Sequence, residues 1–283
     1  MHFLLLVIIC STSIALILKY NDTRKGELIV LLAGNYLVAA SIALILLVLN
    51  ESKLFSYQTL LYGAGLGSLF VITFFLLSFA ISHAGMGLAI TSSRLSVIIP
   101  IILSIIFFNE SPTKLHIFGF LFTIITFVMF YFSVKSGHKD GDGMLKYFFL
   151  IAVFIGIGIN DFALKYFKVW RSELEEPYFI FFIFSSAFIY SSFYIILKKI
   201  KIKPQTAMLG LVLGIPNVLA TTFLLSALAL FPAILVFPLM NVGIILSTTL
   251  MAFLIWKEKL NRWGILALVS GLLAILFLSI GSK

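Results

Sequence analysis

Arg94 and Asp161 are the acidic or basic residues that lie deepest within the apolar stretches of this sequence. An ionised group in hydrocarbon is energetically expensive, and it therefore points to a functional site. The guanidinium of Arg94 cannot lose its proton, so it requires a partner or a water-filled cavity. Its planar fork could bind an anionic group of a solute, with Thr91, Ser92 and Ser93 nearby. The alternative is a structural bridge between Arg94 and Asp161.

Lys165 follows Asp161 by one helical turn, a spacing at which opposite charges can neutralise each other. We therefore predict an ion pair between Asp161 and Lys165, which leaves Arg94 available to a ligand. Asp161 is also the candidate for proton coupling, because it is the titratable group nearest the middle of a membrane. If Lys165 keeps Asp161 ionised, a uniporter or an exchanger is favoured over a proton antiporter.

The other polar side chains within apolar stretches are amides and hydroxyls, which more often bond a neighbouring helix than a ligand. Those that could also line a solute site are Asn35, Asn160, Asn217, Thr221, Thr222 and Asn241. The four histidines are isolated, and the HExxH, GxSxG and GxxxxGK[ST] motifs are missing. The sequence therefore predicts no catalytic residue, no metal site and no cofactor.

The elements that position these residues must be helices in lipid. The chain of 283 residues is 61% hydrophobic and 11% charged, whereas a soluble domain has about 25% charged residues. The net charge of +9 is scattered over short hydrophilic breaks, as in membrane anchors and unlike a nucleic-acid interface. A span needs about 20 apolar residues. Ten such runs are present: 2–18, 27–49, 59–82, 86–108, 115–134, 147–167, 178–197, 206–230, 233–256 and 263–280.

An internal repeat relates the two halves of the chain. At offsets of 146 to 148 residues, Lys19 recurs as Lys165, Gly63 and Gly67 as Gly210 and Gly214, Phe75–Ser78 as Phe223–Ser226, and Glu110 as Glu258. Each half holds five spans, and an odd number places the second copy upside down in the membrane. We predict an all-α integral membrane protein whose ten transmembrane helices form two inverted five-helix repeats, 1–137 and 147–283, joined by a linker, 138–146.

Prolines and glycines within the spans predict local geometry. The glycine pairs should allow close helix packing, and Pro100, Pro216 and Pro238 should kink their helices.

Caps are predicted around the fifth span. Ser111 and Pro112 read as its N-cap and first-turn proline. Glu110 and Glu258 each precede a helix start, where the positive helix end stabilises a carboxylate.

The chain resembles the drug/metabolite transporter superfamily, specifically the ten-helix EamA-type transporters. The resemblance rests on Lys19 and Lys165 and on Glu110 and Glu258, each glutamate being followed by a glycine-bearing last helix of its half. It implies a substrate cavity between the halves and transport of amino acids, nucleosides or other small metabolites, commonly outwards. Span one lacks the Trp-Gly pair often found in such proteins.

The orientation has two conflicting predictions. The loops after the odd-numbered spans hold 13 Lys and Arg residues, against 6 on the other side. The positive-inside rule then places both termini outside. The family resemblance implies that both termini are cytoplasmic.

The function predicted from these features is secondary transport of a small polar metabolite, amino-acid-like or anionic, by alternating access. The alternatives are a flippase for a lipid-linked headgroup on the same fold and a polytopic membrane enzyme. The expected partners are the solute and the lipid bilayer, and no nucleic acid is expected. The protein is expected to be a monomer or a homodimer. The expected location is the bacterial plasma (inner) membrane.

Overall fold

The computed structural model describes residues 1–49, 56–84, 86–134, 143–257 and 261–281. These residues form α-helices and one short 3-10 helix, Glu173–Glu175, with no strand among them. The α-helices are α1 (His2–Thr23), α2 (Leu28–Leu49), α3 (Tyr57–Ala84), α4 (Met86–Leu95), α5 (Ile98–Phe108), α6 (Lys114–Val134), α7 (Gly143–Trp170), α8 (Glu176–Leu197), α9 (Pro204–Leu230), α10 (Ala233–Trp256) and α11 (Arg262–Gly281).

The described residues contain ten helical segments that are long and apolar enough to cross a membrane. Helices α4 and α5 together make the fourth of these segments, the seventh joins the 3-10 helix Glu173–Glu175 to α8, and each of the others lies within one continuous helix. The prediction of an all-helical chain with ten candidate spans is therefore confirmed. Their membrane insertion and inverted arrangement remain predictions.

Helix α6 begins at Lys114, one residue before the predicted run of 115–134 and two residues after the start that a cap at Ser111 implies. The hydroxyl of Thr113 accepts a hydrogen bond from the His116 N–H at 3.3 Å, and His116 Nδ1 accepts one from the Thr113 N–H at 3.1 Å. This reciprocal pair satisfies two N–H groups at the helix start, as a capping box does. The predicted cap at Ser111 and Pro112 is therefore wrong, because Thr113 takes that position.

The chain groups into two compact units. Unit I comprises Met1, Thr73–Lys165 and Ala227–Lys283, and unit II comprises His2–Ile72 and Tyr166–Ser226. Each unit combines segments from both predicted halves, so the division at 137 and 147 remains a prediction about the repeat. Most of the predicted linker, like Glu258, lies outside the described residues, and 143–146 already belong to α7.

In unit II the predicted glycine pairs pack closely against neighbouring helices. A Cβ atom on Gly67 would lie 2.3 Å from the carbonyl oxygen of Ile183 on α8, and one on Gly210 would lie 2.3 Å from that of Leu31 on α2. Gly63 and Gly214 also allow no side chain, since a Cβ on each would lie 2.8 Å and 2.6 Å from the neighbouring helix. The predicted packing role of all four glycines is confirmed.

In unit I, α6 packs along α11. The rings of Phe122 and Phe277 stack with centroids 5.5 Å apart, and the hydroxyl of Thr126 donates to that of Ser270 at 3.0 Å. A Cβ on Gly119 would meet the Leu278 side chain at 2.6 Å. These contacts join the last helices of the two predicted repeats.

Candidate functional site

The fourth span is broken beside Arg94. Helix α4 ends at Leu95 and α5 begins at Ile98, with a turn at Ser96 and Val97 between them. Pro100 has no N–H to bond the Ser96 carbonyl, which accepts instead from the Ile99 N–H at 2.9 Å. The kink predicted for Pro100 is therefore a short interruption of the helix at Ser96 and Val97, where Val97 keeps α-helical dihedrals and helical hydrogen bonds continue on both sides.

The other two predicted kinks leave their helices continuous. Pro216 lies inside α9 and Pro238 inside α10. The fourth span therefore differs from α10, its counterpart in the predicted repeat.

Arg94 occupies the last turn of α4, where the negative end of the helix stabilises a cation. Its Nη1 donates a hydrogen bond to Asn241 Oδ1 on α10 at 3.1 Å. The Asn241 Nδ2 donates to the Phe237 carbonyl at 3.0 Å, which orients the amide oxygen toward the guanidinium. The buried Nε of Arg94 has no hydrogen-bond partner among the described residues. The fork thus keeps unused donor capacity.

Helix α7 runs along both parts of the broken span. The Ser92 hydroxyl donates to the Leu150 carbonyl at 2.7 Å. Further along, Gly158 lies against Ile99, whose side chain would be 2.5 Å from a Cβ placed there. Because α7 passes so close to α4 and α5, the residues on the side of α7 that carries Gly158 are held beside Arg94.

Asp161 lies on that face of α7, within one turn of Gly158. It interacts electrostatically with Arg94. No salt bridge within 4.0 Å joins these two side chains, both of which lie in the described part of the chain. The structural bridge considered for Arg94 and Asp161 is therefore an open pair of opposite charges.

Lys165 pairs with Glu110 instead of Asp161. The two side chains are nearly buried, and the Lys165 Nζ lies 3.0 Å from Glu110 Oε1. The predicted Asp161–Lys165 pair is therefore replaced, because a carboxylate following α5 competes for the ammonium.

Glu110 also caps a helix that is remote in sequence. Its Oε1 accepts from the Ala233 N–H at 2.9 Å and its Oε2 from the Ile234 N–H at 3.0 Å. The expected interaction of this carboxylate with a helix start is present, but the helix is α10. Sequence reasoning missed this pairing, since no local pattern reports a contact between residues 110 and 233.

The remaining predicted residues of unit I have mixed surroundings. Thr91 is buried, and the Ser93 hydroxyl donates to the Ile90 carbonyl at 2.8 Å. The hydroxyls of Ser92 and Ser93 therefore serve the backbone. Asn160 is buried, and its Oδ1 has no partner among the described residues. Asn160 is an unsatisfied group that needs an explanation.

Unit II holds the predicted residues Asn217 and Thr221. The Asn217 Nδ2 donates to Asn35 Oδ1 on α2 at 3.0 Å, and the Thr221 hydroxyl donates to the Asn217 carbonyl at 3.2 Å. These contacts tie α2 to α9 without any charged group, as amides in membrane helices commonly do.

A cavity of about 350 Å³ also lies in unit II. Glu176 lies at its wall and binds Lys168 at 2.7 Å. The wall is formed by Ala43, Leu46, Leu49, Glu176, Pro177, Ile180 and Thr222. Because most of these side chains are apolar, the cavity suits a hydrocarbon group better than a polar solute.

Metal ligands do not cluster in the described residues, which contain no group of three or more His, Cys, Asp or Glu placed to hold an ion. The described side chains around Arg94 offer ionic and hydrogen-bonding interactions, through one guanidinium with unused donors, an opposite charge nearby and uncharged amides.

No protein-family profile matches the chain. The chain is 28% identical over 287 residues to an uncharacterized protein of Haemophilus influenzae, covering 97% of this chain and 96% of that protein. The fold is similar to that of a protein whose crystal structure has been solved, with a TM-score of 0.80 and 14% sequence identity. The similarity covers 99% of this chain and 96% of that chain. At such low identity the structural likeness shows the fold alone.

Proposed function

We propose that this protein is a secondary transporter that moves a small polar solute carrying an anionic group across a membrane by alternating access. The observation that carries the proposal is Arg94, a permanent cation beside a helix break in an apolar span, with an unpartnered buried Nε. Broken membrane helices with polar groups at the break are typical of transporter binding sites. An arginine in such a position is functional by default.

Matched contacts support the repeat of the two halves, and the odd number of spans in each half is what predicts its inversion. The glycines of α3 pack on α8, and those of α9 pack on α2. In the predicted repeat α3 corresponds to α9, and α8 corresponds to α2, so one contact is the counterpart of the other. Two packings of near-equal energy are the physical basis of switching between two openings.

Each residue of the site has a proposed role. Arg94 binds the anionic group through its Nε and free Nη donors. Asn241 holds the guanidinium plane in position, and Asn160 offers a carbonyl oxygen to a donor on the solute. Ser92 and Ser93 support the backbone, and Asp161 balances the charge of Arg94.

Membership of the drug/metabolite transporter superfamily, in its EamA-type branch, is part of this proposal. The ten spans and the matched glycine contacts support it. A bacterial inner membrane is the proposed location, in keeping with the similar protein of Haemophilus influenzae.

A flippase is the second candidate, because the cavity in unit II has a largely apolar wall that could hold a lipid chain. A fluorescent-lipid translocation assay in vesicles separates the two candidates. Translocation of lipid without solute flux would favour the flippase.

The direct test is transport by the purified protein in liposomes loaded in turn with amino acids, carboxylates, nucleosides and sugar phosphates. We expect flux of an anionic or zwitterionic solute, reduced strongly by Arg94→Lys and about a hundredfold by Arg94→Met. Arg262→Met is the matched control, since Arg262 is exposed at the start of α11. Unchanged flux in Arg94→Met, or a tight barrier to every class, would contradict the proposal.

A further inference from the structure

The deep charges of unit I form two pairs that differ in how tightly they are closed. Glu110 and Lys165 are in contact at 3.0 Å, and Glu110 also serves the start of α10. Arg94 and Asp161 interact without such a contact. The other ionisable side chains described in this unit lie near helix ends: His83, Lys114, His116, Tyr131, Lys146, Tyr147, Lys257 and Arg262.

The open pair is electrically neutral as a whole. An anion that binds Arg94 adds one negative charge and leaves Asp161 without a counterion. A lone carboxylate among apolar helices is strongly disfavoured. One proton taken from the water that brings the anion restores neutrality at Asp161.

We propose that a proton binds Asp161 each time an anion binds Arg94, so that the anion and the proton together add no net charge to the site. The proposal rests on the function proposed above and adds its coupling ion. The proton and the anion leave together on the opposite side, which balances charge over the cycle. Proton coupling thereby replaces the uniport or exchange expected from an Asp161–Lys165 pair, since Lys165 is held by Glu110.

Arg94→Gln tests this linkage without a ligand, because it removes the counterion as a bound anion would. Infrared difference spectra between this variant and Arg94→Gln/Asp161→Asn should show the carbonyl band of one protonated carboxyl group at neutral pH. Arg94→Lys keeps the charge and is the matched control, in which the band should be missing. A fully ionised Asp161 in Arg94→Gln would overturn the proposal.

Asn241→Asp provides a second test, because the substitution is nearly isosteric and leaves Arg94 in place. It puts a carboxylate where the amide oxygen already accepts from Nη1 at 3.1 Å, and so imitates the bound anion. We expect one protonated carboxyl in this variant and none in Asn241→Asp/Asp161→Asn. Two ionised carboxylates beside one guanidinium would overturn the proposal even if Arg94→Gln failed to fold.

The transport readout separates this inference from the proposed function. For a carboxylate detected in the liposome screen, the binding affinity should fall about tenfold for each unit by which the pH is raised, wherever binding takes up one full proton. The Asp161→Asn variant should bind it without this dependence. A protein that transports the carboxylate with pH-independent affinity would retain its proposed function and lose the proton. If the infrared bands are as expected but no solute is transported, the proton linkage between Arg94 and Asp161 stands and the proposed transport function is contradicted.

Discussion

Units I and II both enclose polar side chains among apolar helices, but among the described residues unit II encloses charges in closed ion pairs such as Lys168–Glu176, whereas unit I holds the open pair Arg94 and Asp161. In unit II the amides of Asn35 and Asn217 bond each other, and the glycines bring the helices together. In unit I Arg94 keeps unused donors, and its opposite charge stands apart. A satisfied pair of amides stabilises helix packing, whereas a buried cation with an unused donor points to a ligand, as proposed above.

The largest difference in stability between variants of the two units should come from breaking the closed ion pair of unit I, Glu110–Lys165. Glu110→Ala would leave Lys165 buried without a partner and uncap α10, so we expect a loss of about 3–5 kcal/mol in unfolding free energy. Unfolding in detergent micelles measures it. Glu173→Ala is the control, since Glu173 is exposed in its bridge to Lys168 and its removal should change stability by about 0–1 kcal/mol. Equal losses in the two variants would refute the structural importance of Glu110.

The open charge should matter for flux more than for folding. Arg94→Met removes about two charge-assisted hydrogen bonds to the solute, which predicts a loss of about a hundredfold in transport. Asn217→Leu in unit II should change flux by less than about threefold. Equal effects of the two substitutions in liposomes would remove the functional difference between the units.

Close packing in unit II predicts a smaller effect, on stability alone. Gly67→Ala pushes a methyl group into the Ile183 carbonyl and should destabilise the protein by about 1–3 kcal/mol. Gly65 has open space around its Cβ position, so Gly65→Ala should stabilise α3 by about 0.5–1 kcal/mol. Unfolding midpoints of the two variants, compared with the parent protein, test this difference in sign.

The neutral amide pair should have the smallest effect. A double-mutant cycle on Asn35→Leu and Asn217→Leu should give a coupling energy of about 0.6 kcal/mol, as for other hydrogen bonds between membrane helices. A coupling several times larger would mean that unit II also depends on a strained polar centre.

The sequence was sufficient for features that depend on composition or on one residue. The ten spans follow from runs of apolar residues long enough for a bilayer, and the glycine contacts follow from a spacing of one helical turn. Arg94 could be selected because a permanent charge in such a run is rare.

Features that depend on distant residues could not be predicted. Lys165 had a local candidate in Asp161, but the tertiary fold brings Glu110 to 3.0 Å. Sequence alone contains no measure of that competition. The break in the fourth span, by contrast, could have been placed at Ser96, since Pro100 cannot donate to the carbonyl of the residue four positions before it.

Glu110 holds the first turn of α10 through Ala233 and Ile234, so that a tilt of this helix during transport would be expected to pivot about this end. Asn241 stands eight residues beyond Ala233, about 12 Å along the axis at 1.5 Å per residue. A tilt of about 15° around the anchored end would carry Asn241 sideways by about 3 Å. That displacement is enough to separate its amide oxygen from Arg94 while the ion pair at the pivot stays intact.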